Sequence, residues 1–390
     1  MKKKIAILGS TGSIGKTLIE IIKENKKNFE IVLLTADKNY KEIFKQAKSL
    51  NVKNLILTDK KSFDLLKKKN IGKINIFNNY NSFNNIFKKK IDYAMSSISG
   101  IDGLEPTLKI IKHTKKIAIA NKEAIICGWH LIKKNLKEYK TTFVPVDSEH
   151  FSIFYALKSN QISNIEKIYL TASGGPLNNL PKKRFKNIKI SEAIKHPNWK
   201  MGKKISIDSA TLINKIFELI EAKKIFSIEY SKFKLIIQPT SYVHAVVDFN
   251  NGVSKILTHP TSMKIPIYNS LNDNFKSDYF SNKMNLELIN NLNFQEINKI
   301  KFPIDKIIRL IPNNDSLFET VLVSANDTLV DLFLKKKIKF FDIYKYLIKI
   351  LSLNEFKKFK TMRPKNLDQI TVLSRNVRLK TISLSVRSQN

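Results

Sequence analysis

The chain has 390 residues, of which 69 are Lys or Arg and 33 Asp or Glu, for a formal net charge of +36, with 43% hydrophobic residues and one cysteine. Its length exceeds the roughly 250–300 residues at which a single hydrophobic core stops growing, so more than one domain is expected. One cysteine, Cys127, excludes an internal disulfide framework and a multi-thiolate zinc site, and only six of the basic residues are Arg. Nucleic-acid readers favour the Arg fork, whereas here lysines are scattered along the whole chain, so solvated lysine faces and no nucleic-acid partner are expected.

Taken in chain order, Lys2–Lys4 and Ile5–Leu8 begin like a secretory leader. The apolar run stops at Gly9, short of the ~7–15 apolar residues such a leader needs. No later run reaches the ~20 residues of a membrane span, so a cytoplasmic location away from membranes is expected. Strand patterns at Ile5–Leu8, Phe29–Thr35, Asn54–Leu57, Tyr93–Ser96, Lys116–Ala120 and Thr142–Val146 alternate with helical spacing, as at Lys16–Lys26. Strands separated in this way predict a parallel sheet covered on both faces.

Beyond residue 150 the pattern predicts a helix at Ser152–Leu157, a strand at Lys167–Ala172, a helix within Ser209–Ala222 and a strand at Phe233–Gln238. A hairpin comes next, with Val246–Phe249 and Val253–Leu257 joined through Asn250-Asn-Gly252, whose Asn-Gly pair suits a tight turn. These residues read as an α+β domain. The polar, Asn-rich stretch 272–299 reads as a linker, and helical spacing at Leu317–Val323, Leu329–Leu334 and Ile343–Leu351 predicts a C-terminal helical domain.

Gly9-Ser-Thr-Gly12-Ser-Ile-Gly15 follows the first strand and opens the first helix. Glycines there let the backbone approach a pyrophosphate, and the helix N-terminus offers free N–H groups. Thr35-Ala-Asp37-Lys38-Asn39 ends the second strand, where an adenosine ribose would lie. An acid there accepts from a ribose 2′-OH and favours NAD, whereas Lys38 and Asn39 suit a 2′-phosphate and NADP; spacing leaves both open.

Asp147-Ser-Glu149-His150 places two carboxylates after a strand, where ligands bind in open α/β sheets; it reads equally as a helix N-cap. Ser173-Gly-Gly-Pro176 is another strand-ending turn. One of only two tryptophans, Trp199, sits in a Pro- and Gly-punctuated loop with His196 and Met201, as a lid over a substrate would. Asn214, Lys215 and Glu218 then share one helical face, where a plain exposed Lys–Glu pair is the bland alternative.

As a set, Gly9–Gly15, Asn121-Lys-Glu123, Val146–His150, Ser173–Pro176, His196-Pro-Asn-Trp199 with Met201-Gly202, Asp208-Ser-Ala-Thr211 and Asn214-Lys215 with Glu218 resemble the 1-deoxy-D-xylulose 5-phosphate reductoisomerases in order and approximate spacing. The resemblance runs from residue 1 to about 270. It implies an α/β fold in three parts: a Rossmann-like NADPH-binding domain over 1–147, a catalytic and connective α+β domain over 148–271 with a flexible flap at 193–204, and, past the 272–299 linker, a helical domain over 300–390.

The resemblance also implies a homodimer that rearranges the pentulose phosphate and reduces the resulting aldehyde to 2-C-methyl-D-erythritol 4-phosphate for isoprenoid synthesis. Asp147, Glu149 and Glu218 would hold Mg²⁺ or Mn²⁺. Ser173, Ser209, Asn214 and Lys215 would bind the phosphate, with Lys122, Ser148 and Glu149 at the reacting end of the sugar. His196, Trp199 and Met201 would belong to the flap. Lys122, Glu149, Glu218 and His196 are the implied catalytic set, and Thr11, Gly12, Ser13, Ile14, Asp37, Lys38, Asn39, Asn121, Glu123 and Gly202 would face the dinucleotide.

The sequence departs from the family pattern in places. Asp37 stands at a common Gly, Gln238 at a usual His, Lys264 at a usual Arg, and Ser324-Ala-Asn326-Asp327 carries a shortened acid. Two other readings make different demands. A semialdehyde dehydrogenase shares the glycine-rich start but needs an activated Cys, and a polyanion-binding protein would follow from charge alone.

Overall fold

A computed structural model of the chain describes residues 1–69, 74–158, 161–272 and 284–386. These described residues divide into two compact units, with those of 1–125, 130–151 and 263–272 in the first and those of 126–129, 152–262 and 284–386 in the second.

In the first unit β-branched and leucine-rich runs form β1 (Lys3–Leu8), β2 (Phe29–Ala36), β3 (Asn54–Leu57), β4 (Asn75–Phe77), β5 (Ile91–Ser96), β6 (Thr114–Ile119) and β7 (Thr142–Pro145). All pair in parallel, in the order β4-β3-β2-β1-β5-β6-β7. The order reverses beside β1, the position at which open α/β sheets present a ligand crevice. Ile5, Ile7, Leu34 and Leu55 are wholly buried, and Leu18, Ile21 and Ile22 of the Ser13–Glu24 helix pack onto them at helical spacing.

The segment from Met263 belongs to this unit and not to the residues that precede it. Its helix Lys264–Leu271 buries Ile267 and Leu271 in the same core, Tyr93 Oη and Ser270 Oγ lie 2.7 Å apart, and Lys3 Nζ donates to the Leu271 carbonyl at 3.1 Å. Lys264, the departure from a usual Arg, pairs with Glu20 at 3.4 Å.

The second unit holds a mixed sheet. β8 (Ile165–Ala172), β9 (Phe233–Ile237), β10 (Val243–Phe249), β11 (Ser254–Thr258) and β12 (Gln295–Glu296) lie in the order β11-β10-β8-β9-β12. The expected hairpin is β10–β11, antiparallel, with Gly252 at φ +82° in its turn, a conformation that favours glycine. Ile168, Leu170, Ala245 and Val247 of the sheet bury against Leu219, Ala222 and Phe226 of the Ile213–Phe226 helix.

Within the stretch expected as a linker, residues 273–283 lie outside the described residues. The later part of that stretch is structured: Leu286–Asn290 is helical, and Gln295–Glu296 pairs with β9. Helices Phe318–Leu334, Asp342–Leu351 and Leu367–Val386 pack together in the C-terminal region. Across the helix interface, Lys224 meets Asp315 at 2.5 Å and Glu319 at 3.0 Å, with Lys224 and Glu319 all but closed to solvent. The two acids raise the Lys224 ammonium above its ordinary range despite its burial. Among the described residues no helix is long and apolar enough to cross a membrane.

Candidate functional site

In the first unit the glycine-rich turn is shaped by close backbone approach. Gly9 adopts φ +86°, its N–H donates to Thr35 Oγ1 at 3.0 Å, and a Cβ on Gly15 would lie 2.4 Å from the Gly9 carbonyl oxygen. A side chain at Gly15 would therefore force the turn off the helix. The helix starts at Ser13 behind Gly12, whose N-cap position has no side chain to accept from the first N–H groups. No side chain caps the helix N-terminus beside Thr11, Gly12, Ser13 and Ile14, as a pyrophosphate site requires, so the residues present fit a dinucleotide.

At the end of β2, Asp37, Lys38 and Asn39 are exposed. Asp37 Oδ1 accepts from Thr58 Oγ1 at 2.9 Å, and Asn39 Oδ1 caps the Tyr40–Leu50 helix by accepting from Glu42 N at 3.2 Å. Asn121 is likewise engaged. Its Oδ1 accepts from Ala124 N at 3.0 Å, capping the Lys122–Glu138 helix, while its Nδ2 donates to the Gly100 carbonyl at 2.8 Å. Asn121 thus fastens the loop after β5 to the start of that helix, leaving Lys122 and Glu123 as the adjoining buried charges.

Lys122 Nζ lies 2.9 Å from Asp147 Oδ2, with side chains 8% and 15% exposed. That ion pair joins the ends of β6 and β7. Ser148 Oγ donates to Glu149 Oε2 at 2.5 Å at the start of the Ser148–Leu157 helix. A lysine, a hydroxyl and two carboxylates therefore gather at the C-terminal edge of the parallel sheet.

The second unit brings together the remaining polar residues. The turn after β8 has Gly174 and Gly175 at φ +81° and +64°, and Ser173 Oγ accepts from Gly175 N at 3.0 Å. His196 Nδ1 accepts from Asn198 N at 3.1 Å and Trp199 N at 3.0 Å, so the ring proton sits on Nε2, which donates to Ser173 Oγ at 3.0 Å. Burial, aided by the nearby Lys215 charge, lowers the His196 pKa to about 4, so the imidazole is neutral at physiological pH. With both acceptor directions of Ser173 taken, its own hydroxyl proton is left for an incoming anion.

Trp199 is half-buried, edge-on to the His244 ring at 6.2 Å. Asn198 Nδ2 donates to the Pro239 carbonyl at 2.7 Å, and Gln238, the departure from a usual His, holds this turn through Tyr242 N, which donates to Gln238 Oε1 at 2.9 Å. The expected flap, 193–204, is irregular between Ile194 and Gly202, and its last two residues open the Lys203–Ala210 helix.

Lys215 and Glu218 are 4% and 2% exposed, which rules out the bland reading of a solvated pair. Lys215 Nζ and Asn214 Nδ2 both donate to the Glu218 carboxylate. Gly175 packs so closely on the neighbouring helix end that a Cβ there would lie 2.9 Å from the Ser209 carbonyl oxygen. Ser173, His196, Ser209 and Lys215 are therefore gathered in one unit, with one buried cation among hydroxyl and amide donors. The sequence marks Asp208 only as part of a family motif, with no role, and does not mark Tyr344; both hold the Ser209 segment from behind: Asn326 Nδ2 donates to Asp208 Oδ1 at 2.8 Å and Tyr344 Oη to the Thr211 carbonyl at 2.5 Å. Cys127 is buried, which pushes its thiol pKa up, the opposite of what a nucleophilic Cys needs.

The carboxylates Asp147, Glu149 and Glu218 offer only oxygen, the donor set of hard divalent cations, and so fit Mg²⁺ or Mn²⁺ chemically.

Three family models match the chain: 1-deoxy-D-xylulose 5-phosphate reductoisomerase over residues 5–128, that enzyme's C-terminal domain over 143–226, and a DXP reductoisomerase C-terminal domain over 259–380. The chain is 58% identical to the 1-deoxy-D-xylulose 5-phosphate reductoisomerase of Pelagibacter ubique, covering 98% of this chain and 100% of that one. It is 37% identical to the enzyme of Clostridium tetani, covering 94% and 96%. Among solved structures it is similar to the Zymomonas mobilis enzyme in complex with NADPH (TM-score 0.86, 28% identity, 99% of each chain). It is also similar to a DOX-P reductoisomerase in complex with NADPH, fosmidomycin and magnesium (TM-score 0.90, 28% identity, 99% and 98%).

Proposed function

Because the chain belongs to the 1-deoxy-D-xylulose 5-phosphate reductoisomerase family, we propose a division of labour among its own residues for the reaction of that family. The chain is an NADP-dependent oxidoreductase: it isomerises 1-deoxy-D-xylulose 5-phosphate and reduces the product to 2-C-methyl-D-erythritol 4-phosphate, a step of isoprenoid precursor synthesis. NADPH supplies the hydride, and a divalent cation, when bound, polarises the carbonyl and hydroxyl oxygens of the substrate.

Asp147, Glu149 and Glu218 are the proposed ligands of the cation. Lys215 neutralises the substrate phosphate, while Ser173, Ser209 and Asn214 donate hydrogen bonds to it. His196, neutral and fixed by two backbone N–H groups, orients the Ser173 hydroxyl toward that anion. Lys122, held by Asp147, moves a proton to or from the oxygen on which charge develops, and Ser148 contacts the same end of the sugar. Trp199 and Met201 close over the sugar and exclude water from the reactive aldehyde. Thr11, Gly12, Ser13, Ile14, Asp37, Lys38, Asn39, Glu123 and Gly202 face the dinucleotide, with Asn121 holding the loop beside it.

On this reading residues 1–147 bind nucleotide and lend Lys122 and Asp147 to the reaction, 148–271 carry the rest of the chemistry with the flap at 193–204, and 300–390 support them. The protein acts as a cytoplasmic homodimer. The β11 edge, with Ile256 exposed in the strand and Val253 exposed just before it, is the free sheet edge that a second copy would cover.

The observation that carries the assignment is the gathering of a buried, charged Lys215 with Asn214, Ser209 and the His196–Ser173 pair. The test monitors NADPH consumption with the pentulose phosphate, with and without added Mn²⁺. Glu218→Gln should lower turnover at least about 100-fold while NADPH affinity stays unchanged. Wild-type turnover in that variant would remove Glu218 from the metal site.

A further inference from the structure

We propose that Asn326, Asp327 and Tyr344, on two helices of the C-terminal region, are positioning residues that set the phosphate-binding junction between the Lys203–Ala210 and Ile213–Phe226 helices. The proposal rests on the reading that Ser209, Asn214 and Lys215 bind the substrate phosphate.

The junction is a strained piece of backbone. Leu212 sits at φ +53°, in the left-handed region that a branched side chain resists, and it starts the helix that presents Asn214 and Lys215. Such a conformation persists only where its surroundings over-determine it.

The C-terminal helices supply that constraint from behind the site. Asn326 Nδ2 donates to Asp208 Oδ1 at 2.8 Å, with both residues essentially closed to solvent. Tyr344, buried as well, donates from Oη to the Thr211 carbonyl at 2.5 Å. Lys204 Nζ bridges Asp208 Oδ2 at 2.9 Å and Asp327 Oδ1 at 3.0 Å, and Arg378 meets the other Asp327 oxygen at 3.3 Å. Every residue from Asp208 to Leu212 is thus braced or adjoins a braced neighbour.

Two features tie the brace to substrate binding and not to stability alone. Asp208 immediately precedes Ser209, whose carbonyl is packed against Gly175 of the Ser173 turn, so a shift of the junction displaces donors on both sides of the anion. Lys204 is the last residue of the flap segment, so the same ionic network fixes the base of the flap. A buried network of this kind narrows the geometry of what it holds, and an anion site is sensitive to such errors because its hydrogen bonds are directional.

The test uses the full-length enzyme with NADPH and Mn²⁺, and compares Asn326→Ala, Tyr344→Phe and Lys204→Met. Losing one buried hydrogen bond of the brace should raise KM for the pentulose phosphate about fivefold, with kcat much less affected. Competitive inhibition by inorganic phosphate should weaken by the same factor, and KM for NADPH should not move. Lys204→Arg should restore the wild-type values.

A lower Tm with KM and phosphate inhibition unchanged would make the network a stabiliser only and overturn the proposal, as would no change at all. Should Asn326→Ala fail to fold, Tyr344→Phe, which removes one oxygen, and Lys204→Met, at a partly exposed position, still decide the matter. Lys215→Met separates the two levels. If it leaves KM and phosphate inhibition at wild-type values, the phosphate site itself is misassigned; if it raises them and the brace variants do not, only the brace falls.

Discussion

The proposed nucleotide turn of the first unit and the proposed anion site of the second are made from different parts of the chain. Around Gly9–Gly15 the donors are backbone N–H groups, and the side chains are small because glycine is required for close approach. Around Ser173, His196 and Lys215 the donors are side chains, and burial of a charge is made tolerable by a network of partners. A backbone site is specified by what is missing, namely a Cβ, and can be written in seven consecutive residues. A side-chain site needs partners that orient each group, and these come from segments far apart in the sequence.

The sharpest way to break this contrast is Gly15→Ala. Its Cβ would meet the Gly9 carbonyl oxygen at 2.4 Å and Ser10 Cα at 2.6 Å, both backbone atoms that cannot rotate aside. The turn must open, so NADPH affinity should fall roughly 10- to 100-fold, in line with a clash of about 1–3 kcal/mol, while inhibition by inorganic phosphate is retained. Nucleotide titration monitored by fluorescence measures the first, and steady-state inhibition the second. Equal losses in both would mean that the two sites are not separately built.

The contrast also explains how much could be read before the fold was known. The strands of the parallel sheet were legible because β-branched, wholly apolar runs such as Ile5–Leu8 have one physical use. β4 escaped because it is three residues long, with an exposed Asn75 and two partly buried neighbours. The helix Leu367–Val386 was obscured for another reason. Its buried stripe begins with Ile370, Leu373 and Val377 and continues with Thr381 and Ser385, whose hydroxyls bond back to the carbonyls of Val377 and Thr381 at 2.7 Å each. Hydrophobic periodicity cannot see a face made of Thr and Ser.

At the site, residue types were legible but their support was not. Nothing in the spacing of Asp208 and Asn326, 118 positions apart, announces a hydrogen bond. Asn121 carries the opposite lesson. The family resemblance assigns it to the dinucleotide, and its amide also caps the helix and fastens the loop after β5, a structural duty that spacing does not announce.

Ser173→Ala is the reciprocal probe in the second unit. It removes the acceptor of both His196 Nε2–H and Gly175 N–H along with the proposed donor to phosphate. KM for the pentulose phosphate should rise about tenfold, the scale of one charge-assisted hydrogen bond, with NADPH affinity untouched. An unchanged KM would place the phosphate away from this turn.

The smallest expected effect lies at Asp37, where the sequence left NAD and NADP in competition. The proposed cofactor is NADPH, yet an exposed carboxylate stands at the end of β2 beside Lys38. The hydrogen bond from Thr58 Oγ1 at 2.9 Å offers a physical resolution, since it draws Asp37 Oδ1 toward β3 and satisfies a lone pair that would otherwise seek a ribose hydroxyl. Some repulsion of a 2′-phosphate remains, weakened by solvent because the group is exposed. Asp37→Gly should therefore improve the ratio of kcat/KM for NADPH over NADH only about two- to fivefold, as expected for a surface charge worth under about 1 kcal/mol. Thr58→Val, which frees the carboxylate without removing it, should move the ratio the other way. If both variants leave the ratio unchanged, Asp37 does not face the ribose, and selection of the 2′-phosphate falls to Lys38 and Asn39 alone.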